Sequence, residues 1–130
     1  MTTIVTGNLS VADGTVVVGV PKLKPSTREI RALQSDSAVG VTEVTVATVP
    51  DGVTKAIINT LSYSYVSGSY AKLYIKKNGE LIISCEAIDT QTVTRNYIID
   101  VKPGDTFSRY YHMQTASSGA AAVAYDIVFI

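Results

Sequence analysis

The side chains in this sequence that lend themselves to chemistry are few and scattered. His112 is the only histidine and Cys85 the only cysteine. A dyad of His112 with Cys85 or a serine would need a third group to orient the imidazole. His112 instead stands between Tyr111 and Met113, and the sequence contains no Gly-x-Ser-x-Gly elbow. Its expected place is a surface or an interface. A lone cysteine forms no intrachain disulfide and no cysteine metal cluster, so Cys85 is expected to pack as a small apolar residue. A histidine metal site would need several subunits around a symmetry axis.

The carboxylates point the same way. No Asp-x-Asp-x-Asp-Gly calcium loop is present. Asp51 and Asp105 lie at turns, where a carboxylate caps backbone amides, and Asp100 and Asp105 bracket Lys102 as possible partners. A carboxylate pair for glycoside hydrolysis can come from distant strands, yet the chain has no Trp, the commonest sugar-stacking side chain. The expectation is a protein that is not an enzyme and carries no cofactor and no metal.

Eight tyrosines are the unusual resource. Tyr63, Tyr65, Tyr70 and Tyr74 gather around Ser67-Gly68, and Tyr with Ser beside a loop resembles an adaptable recognition surface. Tyr63, Tyr65 and Tyr70 are therefore the recognition candidates. The alternative is packing, because Tyr63 and Tyr65 share strand parity with Ile57 and Leu61, as a core or interface stripe would.

Lysine and arginine balance aspartate and glutamate to a formal net charge of zero. Phosphate neutralisation needs a concentrated cationic excess, so no nucleic-acid partner is expected. Lys22, Lys24, Lys76 and Lys77 read as solvated edge residues. No apolar stretch approaches the roughly 20 residues of a spanning helix, so no membrane partner is expected either. The N-terminus lacks a basic segment followed by a long apolar run and a small-residue cleavage site, which predicts folding in a reducing cytosol.

The elements that must position these residues are strands. Asp13-Gly14, Pro50-Asp51-Gly52, Ser67-Gly68, Asn78-Gly79, Pro103-Gly104 and Ser118-Gly119 punctuate runs rich in Val, Ile, Thr and Tyr. With 130 residues, one all-β, antiparallel β-sandwich is expected over residues 26–130, preceded by an N-terminal hairpin arm and connector over residues 1–25. The arm pairs its two halves around Asp13-Gly14. A lone hairpin is marginal in water, so Val16, Val18, Lys22 and Lys24 are candidates for docking it elsewhere. Ser26 to Glu29 has capping-box spacing for a short helix, but the alternation of Ile30, Ala32 and Gln34 favours an edge strand. Further strands are read over 42–49, 54–66, 70–77, 80–86, 92–101, 105–113 and 120–130.

Asn78-Gly79 fits a two-residue hairpin turn, which predicts Lys77 opposite Glu80, Ile75 opposite Ile82 and Tyr74 opposite Ile83. Ile75 and Ile82 then face the core, and Tyr74 and Ile83 the other side. In the last strand, Val123, Tyr125, Ile127 and Phe129 share one face, while Val128 and Ile130 share the other with Asp126. Apolar groups on both faces predict a central terminal strand and a subunit interface with Tyr74, Ile83, Val128 and Ile130 as candidates.

The run Tyr97 to Phe107, with Lys102-Pro103-Gly104-Asp105 as its turn, resembles the penultimate hairpin of trimeric jelly-rolls of the tumour-necrosis-factor and complement-C1q type. The Tyr70 to Cys85 hairpin is similar too, and the likeness covers roughly residues 53–130. The final strand departs from it in lacking a Gly-Phe or Phe-Gly signature. A disulfide-free, Tyr/Ser/Thr/Val-rich jelly-roll made in a cytosol resembles a tailed-bacteriophage virion accessory protein. That resemblance implies a jelly-roll-like homotrimer, made in the host cytoplasm and carried in the virion, which binds the major capsid protein or another virion protein and decorates and stabilises the outer particle surface. The competing expectation is a receptor- or glycan-binding module of a phage tail.

Overall fold

Eight β-strands run through residues 26–130, the part of the chain that the computed structural model describes. They are β1 (Ser26–Gln34), β2 (Ala38–Thr48), β3 (Lys55–Tyr65), β4 (Tyr70–Lys77), β5 (Glu80–Ile88), β6 (Gln91–Asp100), β7 (Thr106–Gln114) and β8 (Ala120–Phe129). The arm over residues 1–25, with Val16, Val18, Lys22 and Lys24, lies outside the described residues.

The strands form two antiparallel four-stranded sheets, ordered β1-β8-β3-β6 and β2-β7-β4-β5. Successive strands alternate between the sheets except at the β4–β5 hairpin, which gives the two interlocked Greek keys of a jelly roll. β8 is central, flanked by β1 and β3. Its Val123, Tyr125, Ile127 and Phe129 are buried, as the alternation of its sequence predicts. The core lies between the sheets, where Ile58, Leu73, Ile75, Phe107, Tyr111 and Ile127 are among the large, fully buried members.

β1 is a strand, with no helix behind Ser26. It lies at a sheet edge, and its Glu29 and Arg31 pair in register with core residues Tyr125 and Val123. Charges aimed inward from an edge strand discourage a further strand from adding there.

The β4–β5 turn is as expected: Asn78 and Gly79 have φ of 52° and 81°, the pair of positive values that a type I′ turn requires, and Lys77 faces Glu80. Beyond it the register departs from expectation. Lys76 faces Leu81, the ladder then shifts by one, and Ile75 faces Ile83 while Tyr74 faces Ser84. Ile82 is the extra residue of a β-bulge, which puts two residues opposite one and re-aims the strand beyond it. Ile83 is thereby 1% exposed in the core, so this interface candidate is an interior residue.

The run Tyr97 to Phe107 also differs from expectation, because it does not form a hairpin. β6 and β7 belong to different sheets, and residues 101–105 cross between them. At this crossing Asp105 accepts hydrogen bonds from the Lys102 backbone N–H (3.0 Å) and from Asn78 Nδ2 (3.0 Å). Asp100 pairs with Lys55 rather than with Lys102.

Candidate functional site

Period-two geometry sends alternate residues of every strand outward, and the ladders place them in rows across each sheet. On the first sheet, one outward row is Ser26, Val128, Ile57 and Ile98, and a second is Ile30, Ala124, Leu61 and Thr94. A third contains Ala32, Ala122, Tyr63 and Thr92, with Tyr65 beyond it opposite Ala120. Ile30 and Ile98 are each 66% exposed, and Tyr65, Val128 and Ile130 are exposed as well. Between the first two rows runs a polar one, Arg28, Asp126, Asn59 and Asn96. In it Asn96 Nδ2 donates to Asn59 Oδ1 (2.7 Å) and Asn59 Nδ2 to Asp126 Oδ1 (2.9 Å). The small Ala124 side chain beside this row leaves an open depression of about 250 Å³ bordered by Ile30, Leu61, Asn59 and Asp126.

The outer face of the second sheet has a different chemistry. Tyr70, Lys72, Tyr74 and Lys76 project from β4, and Ser108, Tyr110, His112 and Gln114 stand opposite them on β7. Tyr74 and Tyr110 stack with centroids 4.6 Å apart, and His112 meets Tyr70 edge-on at 5.7 Å. The Lys72 ammonium lies 5.0 Å from the Tyr70 ring centre, and that of Lys76 lies 5.5 Å from Tyr110. Lys76 donates to Glu43 (2.9 Å), as does Ser108 (2.9 Å). Those bonds hold the Glu43 carboxyl below its ordinary range. Tyr74 donates its hydroxyl to Glu86; partial burial, then this anionic acceptor, raises the Tyr74 phenol above its ordinary value.

A third cluster closes the gap between the sheets at β1. Glu29 accepts hydrogen bonds from Arg109 Nε (2.8 Å), Tyr125 OH (3.0 Å) and Tyr111 OH (3.1 Å). Arg109 also donates to the Thr42 carbonyl (3.1 Å). Desolvation pushes the Glu29 carboxyl up, but the three donors outweigh it and hold it below the usual value. Burial and the same carboxylate push the Tyr125 phenol up to about 12. Every group in the cluster is used by another, as suits a clasp between the sheets.

The structure disperses the candidates named from sequence. Tyr63 and Tyr65 lie on the outside of the first sheet and Tyr70 on the outside of the second, so the tyrosines adjacent in sequence are not one surface. The core row of β3 is Ala56, Ile58, Thr60, Ser62 and Ser64, which leaves the Ile57, Leu61, Tyr63 and Tyr65 stripe outside. Of the interface candidates, Val128 and Ile130 lie with the first sheet, Tyr74 lies on the second and Ile83 lies inside. Tyr110 and His112, not expected to form a site, complete the aromatic face. The signal for them was their parity opposite buried Phe107, Tyr111 and Met113 in β7. Among the described residues His112 makes no hydrogen bond to a nucleophile or carboxylate, and no three His, Cys, Asp or Glu side chains are grouped to hold a metal ion.

No family model matches the chain, and no curated protein matches it. Among solved structures, similarity is found to a CBM36-1 domain of a multidomain xylanase from the hindgut metagenome of Trinervitermes trinervoides. Identity is 11%, with 78% of this chain and 96% of that domain covered, at a TM-score of 0.39. A structure of infectious bursal disease virus, Gx strain, is 12% identical over 88% of this chain, which spans 34% of that one, at a TM-score of 0.40. Bacillus endospore appendages are 10% identical, with 85% and 93% covered and a TM-score of 0.38. Likeness at this level assigns no function, and the fold class rests on the strand order itself.

Proposed function

We propose that this chain is a non-catalytic structural protein of a virion, made in the host cytoplasm, that acts as a homotrimer decorating the outer particle surface. The observation that carries self-association is the outer face of the first sheet, where Val128, Ile57 and Ile98 form one apolar row and Ile30 and Leu61 lie in another, on either side of the polar row. Exposed aliphatic side chains gathered on one face mark a contact surface, and their burial contributes roughly 25 cal/mol per Å². In the polar row between them Asn96 donates to Asn59 and Asn59 to Asp126, which reduces what a second subunit would have to satisfy. Support for the virion and for three-fold assembly comes from the sequence resemblance, and the arm over residues 1–25 is the proposed foot on the capsid protein. A lattice of repeated sites would turn modest affinity into firm attachment through avidity.

Sedimentation of the full chain at micromolar concentration, with copy counting in purified particles, tests this. The expected results are three chain masses and many copies per particle. A monomer overturns self-association, and a handful of copies replaces decoration by a tail position.

A second reading, recognition of a receptor or glycan by a phage tail, is favoured by one observation. The second sheet gathers Tyr70, Tyr74, Tyr110 and His112 with lysines and carboxylates on a single exposed face.

A further inference from the structure

We propose that the outer face of the second sheet binds a carboxylate-bearing saccharide, a uronic or sialic acid unit, at a site built from Tyr70, Lys72, Tyr74 and His112. The proposal rests on the recognition reading and adds to it the ligand class and the residues.

Lys72 supplies the first argument. In register it lies between His112 on β7 and Glu86 on β5, but Glu86 is engaged by the Tyr74 hydroxyl. Lys76 has Glu43 and Lys77 has Asp105. Among the described residues Lys72 is the β4 lysine without a carboxylate partner, and it stands over Tyr70 in the middle of a sheet. A ligand carboxylate fits that vacancy, and partial desolvation by the rings strengthens the pairing.

His112 supplies the second. Its ring is wedged between Tyr70 and Tyr74, yet neither ring nitrogen bonds to any described residue. Imidazole offers one donor and one acceptor when neutral, which hydroxyl and carboxylate groups satisfy together. Space is available beside it: Gly40 is its register partner on β2, and a Cβ built at Gly40 would meet no atom within 4 Å.

The location excludes a peptide added as a further strand. β4 and β7 are central strands whose backbone groups are spent in ladders on both sides, whereas extended peptides dock by pairing with a free sheet edge. Recognition here must run through side chains alone. A pyranose presents C–H groups to tyrosine rings and hydroxyls to Glu86 and Gln114, and the acidic group distinguishes it from a neutral sugar.

The test is an amide NMR titration of the full chain with trigalacturonic acid, sialyllactose, neutral galactotriose and a polyglutamate peptide. Shifts should concentrate on the outward residues of β4 and β7. One acidic sugar should bind at least about tenfold more tightly than the neutral one, a preference of roughly 1.4 kcal/mol, and which of the two it is separates uronic from sialic acid. Lys72→Gln should erase the preference. Gly40→Leu, a strand-compatible change into open space, should block binding while leaving the rest of the amide spectrum intact. Equal binding of neutral and acidic sugars overturns the carboxylate assignment but leaves glycan recognition standing. No perturbation of this face by any saccharide overturns both. Polyglutamate acting as strongly on the same residues replaces the saccharide by an acidic peptide, and undiminished binding by Gly40→Leu removes the site from this face.

Discussion

Glu29 shows how one residue ties the two sheets together. It belongs to an edge strand of the first sheet and accepts hydrogen bonds from Arg109 and Tyr111 of the second, and from Tyr125 of its own. Its carboxyl is held below the ordinary value of 4.5. A group with a lowered folded-state pKa contributes stability in full above its unfolded value and loses it as pH falls through the folded one. Urea unfolding should therefore show stability declining from about pH 4.5 downward, with Asp105 and Asp100 contributing in the same direction. Tyr125 acts at the other end: its raised value favours the folded state until pH passes 10, and that contribution is lost on the way to about 12. Glu29→Gln should cost about 1 to 3 kcal/mol, because Arg109 loses its carboxylate and the tyrosines keep a weaker acceptor. It should also flatten the acid limb, and an unchanged limb would place the acid sensitivity in the turns. None of this was legible in the sequence. Glu29, Arg109, Tyr111 and Tyr125 meet only because the topology pairs β1 with β8 and turns the Glu29 side chain toward β7, and no local pattern encodes a contact across 80 or more residues.

At the level of elements, strand existence was plain and parity was not. Turn residues and β-branched runs located seven of the eight strands, since those choices are dictated locally by positive φ and by fit to a pleated surface; β1 was favoured over a short helix only by the alternation of Ile30, Ala32 and Gln34. The β5 register failed at Ile82 because Leu81-Ile82-Ile83 fills a core in either parity. The signal lay further on: an unbulged ladder sets Leu73 opposite Ser84 and Ala71 opposite Glu86, whereas the observed one pairs Leu73 with Cys85 and Ala71 with Ala87. The β3 parity was obscured for a similar reason, since its core row includes Thr60, Ser62 and Ser64 and its outer row includes Ile57 and Leu61. Small polar residues fit inside at little cost in volume: Ser62 donates to the Cys85 carbonyl at 2.7 Å, while the Ser64 hydroxyl is buried without a partner among the described residues. Alanine substitution measures the bulge directly. Ile83→Ala should destabilise the fold by about 2 to 4 kcal/mol through a cavity, while Ile82→Ala at the half-buried bulge should cost clearly less. A larger cost for Ile82→Ala than for Ile83→Ala in denaturant titrations would mean that the hairpin keeps the unbulged register in solution.

For the whole molecule, the proposed function divides labour between the two outer faces of the jelly roll. Inner rows of both sheets are spent on one core, so any function of the sheet faces belongs to the outward residues. Those differ in kind: aliphatic rows flanking an Arg28-to-Asn96 polar row on the first sheet, and clustered aromatic and charged groups on the second. Aliphatic surface attracts another aliphatic surface without directional demands, which suits contact between copies. Ring, ammonium and carboxylate groups impose direction, which suits a polar ligand. The two roles therefore separate by mutation. Ile57→Asp with Ile98→Asp introduces charge into the longest aliphatic row, where water solvates it in the free subunit and a partner subunit would bury it unpaired. The double variant should keep a β-rich circular dichroism spectrum and an unfolding midpoint close to the parent's, and should sediment as a monomer. Lys72→Gln on the opposite face should leave assembly intact. A double variant that still forms the parent oligomer would show that copies meet elsewhere, and an oligomer lost only with Lys72→Gln would move the subunit contact onto the aromatic face and take its availability to a saccharide away.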